Sequence, residues 1–254
     1  MTQGMAECAV VVVTGGASGI GRASALAFAG EGATAVVVAD LREEPREGGE
    51  PTVDLVRRLG VAASFVRCDV ADPADLAAAV ERAEEYGGIS VMVNDAGIAR
   101  TEAFLEVREA DYDRMMAVNV KGTYFGAQAA ARAMVRHGRG GAIVNVSSVG
   151  GLVGAGAFPT YAASKGAVRL LTLSLAECLG PMGIRVNAVY PGIVDTEMTR
   201  TDISAAGQTP ASAIPLGRRG VPSDIAAAVV WLASPLAGYV NGGSLIVDGG
   251  DLRI

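Results

Sequence analysis

The chain has 254 residues, half of them hydrophobic, with 34 glycines and a formal net charge of −6. That length holds one full α/β core, and the negative balance argues against non-specific nucleic-acid binding. One His and three scattered cysteines (Cys8, Cys68 and Cys178) cannot supply a usual zinc site, and no hydrophobic run reaches membrane-spanning length.

Met1–Cys8 has no signal-peptide layout, so a reducing cytoplasm is the expected compartment. Val10–Val13 is a β-branched run that reads as a buried first strand. Thr14-Gly-Gly-Ala-Ser-Gly-Ile-Gly21 follows, then a good helix former from Arg22 to Ala29. Strand, glycine turn and helix are the setting a dinucleotide fingerprint needs. Gly15, Gly19 and Gly21 let backbone approach a pyrophosphate, and the helix N-terminus behind them offers unpaired N–H groups. The plain alternative is a glycine-rich turn.

A second run, Ala33–Ala39, ends in Asp40. An acid there hydrogen-bonds the adenosine ribose and repels the extra phosphate of NADP, which favours NAD. Arg42, two residues on, softens that preference. The bland alternative is a solvated acid at a strand end. Arg42 to Pro51 is rich in Glu, Gly and Pro and reads as an exposed loop. Further strands are expected over 63–67, 89–93, 142–146, 184–189 and 244–247. Helices are expected over 74–86, 111–137, 161–179 and 224–233. This alternation predicts a single α/β domain over 1–254, a doubly wound Rossmann-type sheet of about seven parallel strands with helices on both faces.

Tyr161 and Lys165 lie four residues apart on the predicted 161–179 helix, so they share a face. The neighbouring ammonium is expected to lower the phenol pKa and fit Tyr161 for proton exchange with a substrate oxygen.

The spacing Thr14-Gly15-x-x-x-Gly19-Ile20-Gly21 resembles the cofactor loop of the classical short-chain dehydrogenase/reductase (SDR) family. The likeness covers nearly the whole chain. It implies that Gly15, Ser18, Gly19 and Ile20 hold the dinucleotide. Ser18 stands where NADP-preferring members often carry a basic residue. Asp69, with Val70 after it, matches the family's adenine contact; a helix N-cap region is the alternative. Asn94-Asp95-Ala96-Gly97 resembles the family's Asn-Asn-Ala-Gly segment beside the cofactor, with Asp95 replacing the second Asn. That departure is expected to touch local stability more than chemistry. Pro191, Gly192, Ile193 and Thr196 match the segment that holds the nicotinamide carboxamide.

The same resemblance assigns a catalytic tetrad of Asn119, Ser148, Tyr161 and Lys165. Tyr161 exchanges the proton, Ser148 stabilises the substrate oxygen, and Lys165 also bonds the nicotinamide ribose. Asn119 holds a water that links Lys165 to solvent. Ser147 should face away from Ser148 by strand alternation. The implied activity is NAD-dependent interconversion of a secondary alcohol and a ketone by hydride transfer, with no metal. Val149–Pro159 and a lid over about 196–215 should wall the substrate. Ile203–Gly217 carries no charged residue, which fits an uncharged small-molecule alcohol or ketone. One alternative is a 3-oxoacyl-carrier-protein reductase, disfavoured by Asp40 and by Met182 where such reductases often carry a basic residue. The other is a dinucleotide-binding sensor without turnover. The C-terminal part resembles the family's subunit-contact region, which implies a homotetramer, although packing on the protein's own sheet would also explain it. No membrane partner is expected.

Overall fold

A computed structural model describes residues 4–202 and 210–252. Seven strands form one parallel sheet: β1 (Val10–Thr14), β2 (Ala35–Asp40), β3 (Ala62–Arg67), β4 (Val91–Asn94), β5 (Gly141–Val146), β6 (Ile184–Pro191) and β7 (Ser244–Val247). Their spatial order is β3-β2-β1-β4-β5-β6-β7. The chain runs outward from β1 to β3, then returns to the other side of β1 with β4. A crevice therefore opens between β1 and β4 beyond their carboxyl ends. Registers such as Thr14 opposite both Ala39 and Asn94 bring those ends level.

The helices are α1 (Gly19–Gly30), α2 (Thr52–Arg58), α3 (Pro73–Arg82), α4 (Glu109–Met116), α5 (Gly122–His137), α6 (Pro159–Leu179) and α7 (Pro222–Ala233). Strand alternation divides the core in two. Val11, Val13, Val36 and Val38 pack with α1, α2 and α7 on one face. Val10, Val12, Val37 and Met92 pack with α3, α5 and α6 on the other. A parallel sheet covered on both faces must read as continuous apolar runs, which is why the strands are visible in the sequence.

Local chemistry sets the helix ends. Asp72 caps α3, its carboxylate accepting from Ala74 N at 2.9 Å with Pro73 in the first turn. Glu102 Oε1 accepts from Thr160 N at 2.8 Å at the start of α6. Gly138, at φ +65°, closes α5.

Three details differ from the sequence expectation. The seven-residue α2 stands where no helix is expected. Residues 83–86 tighten into a 3₁₀ turn after α3. The single helix expected over 111–137 is α4 and α5 joined by a wider π turn, Ala117–Lys121. Of the expected 196–215 lid, Met198–Asp202 forms a second π turn and Ala211–Ala213 a 3₁₀ turn; 203–209 lies outside the described residues. No described helix is long and apolar enough to cross a membrane.

Candidate active site

A cleft of about 620 Å³ lies over the carboxyl ends of β1, β2, β4, β5 and β6. Its floor is the glycine turn after β1. Gly15 sits at φ +69°, and a Cβ on it would stand 3.0 Å from the backbone of Ala96. A Cβ on Gly21 would meet the Gly15 carbonyl oxygen at 2.2 Å. The turn is therefore open only to glycine at these points. Ser18 and Ile20 line the cleft beside Gly19, whose missing side chain would reach Thr196 Cγ2 at 3.6 Å across it.

Asp40 ends β2 at the rim. Its carboxylate accepts from Ala17 N at 3.1 Å and Leu41 N at 2.7 Å. Burial raises its pKa, against those hydrogen bonds and the nearby Arg42. Asp69 and Val70 line the same half. Asp69 also braces its own turn, accepting from Ala71 N at 3.0 Å, and pairs with Arg114 at 3.5 Å. Ala96 and Gly97 line the cleft. Asn94 turns into the core instead, donating to Asn145 Oδ1 at 2.9 Å. Pro191, Gly192, Ile193 and Thr196 form the far wall. Gly192 is tightly enclosed, since a Cβ there would stand 2.7 Å from Asp248 Cβ.

Four side chains converge deeper in. The turn after strand β5 delivers Ser148, whose Oγ accepts from Gly150 N at 3.1 Å and faces the Tyr161 ring beside Gly150. Adjacent Ser147 is buried and donates to the Lys165 carbonyl at 3.0 Å. Helix α6 presents Tyr161 and Lys165 on one face. The buried Lys165 Nζ donates to the Val146 carbonyl at 2.8 Å and lies 5.7 Å from the Tyr161 ring centroid. Asn119 sits in the first π turn. Its amide brackets Ile98, accepting from N and donating to O at 2.9 Å each, and donates to Ser164 Oγ at 3.0 Å. A Cβ on Gly97 would stand 3.3 Å from Asn119 Oδ1 and 3.5 Å from Lys165 Nζ, so both flank that glycine.

The electrostatics correct one expectation. The Tyr161 pKa is raised, not lowered: burial dominates, the Ser148 hydroxyl opposes it, and the Asp95 charge adds to it. The Lys165 ammonium points at a carbonyl rather than at the phenol oxygen. Burial pushes Lys165 down to about 8, with the Asp95 charge holding it up. Asp95 is the residue the sequence undervalues. Its Oδ2 lies against the glycine turn, 2.8 Å from where a Gly21 Cβ would be and 3.3 Å from where a Gly15 Cβ would be. Burial of the carboxylate pushes it up to about 7, against Lys165, although the residue keeps some exposure to the cleft. The replaced Asn was a visible signal; where the carboxylate goes was not.

Arg46 and Glu47 also line the cleft, as do Glu197, Met198 and Asp251. No local pattern marks any of them. Among the described residues, no three His, Cys, Asp or Glu side chains cluster as a metal site would require.

A family profile described as enoyl-(acyl carrier protein) reductase matches residues 15–251. A crystal structure from Mycobacterium marinum, described as a short-chain type dehydrogenase/reductase, superposes with a TM-score of 0.87 at 33% identity, covering 98% of each chain. The chain belongs to the short-chain dehydrogenase/reductase family. Two curated members are also similar. L-rhamnose 1-dehydrogenase (NAD(P)(+)) of Azotobacter vinelandii is 42% identical, over 94% of this chain and 95% of its own. L-2,3-butanediol dehydrogenase of Corynebacterium glutamicum is 40% identical, over 96% and 98%. This SDR chain therefore matches these relatives over more than nine-tenths of each chain.

Proposed function

We propose that the protein is an NAD-dependent oxidoreductase that interconverts a secondary alcohol, such as a diol or sugar hydroxyl, and its ketone. The observation that carries this reading is that Ser148 and Tyr161 face one another beside Gly150, over buried Lys165, inside a cleft at the sheet's switch point. The relatives are named as dehydrogenases of a sugar and a diol, which supports the substrate class.

The residues present fit a dinucleotide. The glycine turn admits close backbone approach, the α1 N-terminus faces the cleft, and Asp40 offers a carboxylate to hydroxyls at its rim. Bound nicotinamide supplies the hydride acceptor for oxidation and the donor for reduction. Gly15, Ser18, Gly19 and Ile20 would hold the diphosphate half, with Asp69 and Val70 beside the adenine end. Ala96, Gly97, Pro191, Gly192, Ile193 and Thr196 would flank the nicotinamide half, and Asn94 braces it from the core. Asp40 is the basis for NAD over NADP; the rhamnose enzyme's own name allows both.

In oxidation, the Ser148 hydroxyl and the Tyr161 phenolate orient the substrate oxygen, and the phenolate takes its proton. Ser148 steadies the negative charge that develops on that oxygen. Lys165 lies directly behind Tyr161 and next to Asn119 across Gly97, a path by which the proton leaves toward solvent. Reduction runs the same transfers backwards. We further propose a homotetramer, supported by the exposed apolar side chains of α5 and α6.

Absorbance at 340 nm with NAD⁺, then NADP⁺, over secondary alcohols, diols and sugars tests the reading. A signal with NAD⁺ is expected. Calorimetric NAD binding with no turnover of any alcohol would replace it with the sensor reading.

A further inference from the structure

The 41–51 segment is not a free loop. Arg46 N donates to Ser18 Oγ at 2.7 Å, and Gly19 N donates to Glu47 Oε1 at 3.1 Å. Ser18 is the N-cap of α1, yet its side chain makes no capping bond within the helix. Its hydroxyl fastens the segment instead. From the same dipeptide, the Arg46 guanidinium reaches the opposite wall. It meets Asp202 in a two-pronged pair at 3.0 and 3.1 Å and donates to Thr201 Oγ1 at 3.1 Å. Arg46 and Glu47 both line the cleft, as do Ser18 and Gly19 beneath them. One dipeptide thus ties the glycine turn to the turn after β6, across the cleft mouth.

Glu47 places an anion on the Gly19 N–H. Unpaired N–H groups at a helix N-terminus, with the positive end of the dipole, are what an oxygen of a diphosphate would use. Two anionic oxygens brought to one N–H repel each other and so compete for it. We propose that Arg46-Glu47 is a clasp over the cleft, in which the Glu47 carboxylate competes with the dinucleotide diphosphate for the Gly19 N–H. Arg46 sets the clasp by anchoring it to Asp202. Cofactor entry then requires Glu47 to leave Gly19, so Glu47 sets cofactor affinity and association rate rather than chemistry. This inference rests on the dinucleotide reading above.

The test measures NADH binding to the full-length protein, with Kd by nicotinamide fluorescence and association rate by stopped flow. Glu47→Gln and Glu47→Ala are compared with wild type and with Glu44→Gln. Glu44 is exposed on the same segment and does not line the cleft, so Glu44→Gln removes an equal charge without touching Gly19. Both Glu47 variants should lower Kd about two- to fivefold, the range of one charge at a helix end, mainly through faster association. Glu44→Gln should leave both unchanged. Melting temperatures verify that every variant is folded. Unchanged or weaker binding in the Glu47 variants overturns the clasp. An equal gain in Glu44→Gln overturns it too, by reducing the effect to general charge. Absence of NADH binding in the wild type would overturn the dinucleotide reading itself, and the clasp with it.

Discussion

Lys165 Nζ lies 5.7 Å from the centre of the Tyr161 ring while it donates to the Val146 carbonyl. The ammonium stands under the ring rather than on the phenol oxygen. Burial therefore controls the phenol, which keeps its proton more firmly than a free tyrosine. Oxidation, which needs the Tyr161 phenolate to accept a proton, should quicken from pH 7 to pH 9, whereas reduction, which needs the phenol, should stay nearly flat over the same range. Tyr161→Phe removes the proton carrier and preserves the ring packing on Phe158. It should reduce kcat by about 10²–10⁴-fold and leave the Kd for NADH within about twofold. A variant that retains near-wild-type turnover would rule Tyr161 out as the acid–base.

Asp40 offers the second prediction. Its carboxylate is held by Ala17 N and Leu41 N, so its orientation at the rim is fixed by backbone. Hydrogen bonds to a charged group are worth about 1.5–3 kcal/mol. Asp40→Ala should therefore lower kcat/KM with NAD⁺ by roughly ten- to a hundredfold and leave or improve the value with NADP⁺. Steady-state kinetics with both cofactors decide it. An unchanged ratio would move the selector elsewhere.

Much of this was legible in the residues. Val10–Val13 reads as a strand because both its faces are buried and β-branched. Tyr161 and Lys165 meet because helical spacing is local geometry. The π turn at Asn119 is not legible, since its widening goes with tertiary bonds to Ile98 and Ser164. Helix α2 spans only seven residues, too few to show a period. Arg46 and Glu47 look like solvated charges; nothing nearby indicates that they fold back 28 positions onto Ser18 and Gly19. Asp95 is visible as a changed residue, but its contact with Gly21 forms only when β4 pairs with β1 and brings two distant stretches of sequence together.

Assembly is the third prediction. Leu170 and Leu173 on α6 are 66% and 44% exposed, and Tyr124 on α5 is 45% exposed. Burying one such leucine is worth about 1.5–3 kcal/mol. If the α5–α6 face joins subunits, Leu170→Glu with Leu173→Glu should shift the species seen by light scattering from tetramer to dimer or monomer. Activity should drop with it, because Tyr161 and Lys165 sit on the same helix. A tetramer that survives both charges would place the interface elsewhere, and a monomeric wild type would remove it.

Asp95 carries the last prediction. Its carboxylate faces Lys165, the Asp40 charge and the Gly21 N–H, and burial pushes it from 3.8 up to about 7. Between those values the folded protein holds a proton that the unfolded chain has lost. Stability from this group must therefore fall as pH rises from about 4 to 7. Lys165 acts in the opposite sense. Pushed from 10.5 down to about 8, it sheds its proton earlier in the folded state, so its contribution recovers as pH rises from about 8 toward 10.5. Asp95→Asn keeps the shape but removes the ionisation. The variant should gain stability at pH 8, where the wild-type carboxyl is ionised against its burial, and almost nothing at pH 4. Calorimetric unfolding at several pH values reads this directly. Parallel curves for wild type and variant would show that the Asp95 carboxyl does not titrate in that window. The same substitution removes a negative charge that raises the Tyr161 pKa. The pH profile of oxidation should accordingly move to lower pH, an effect that a purely structural role for Asp95 would not produce.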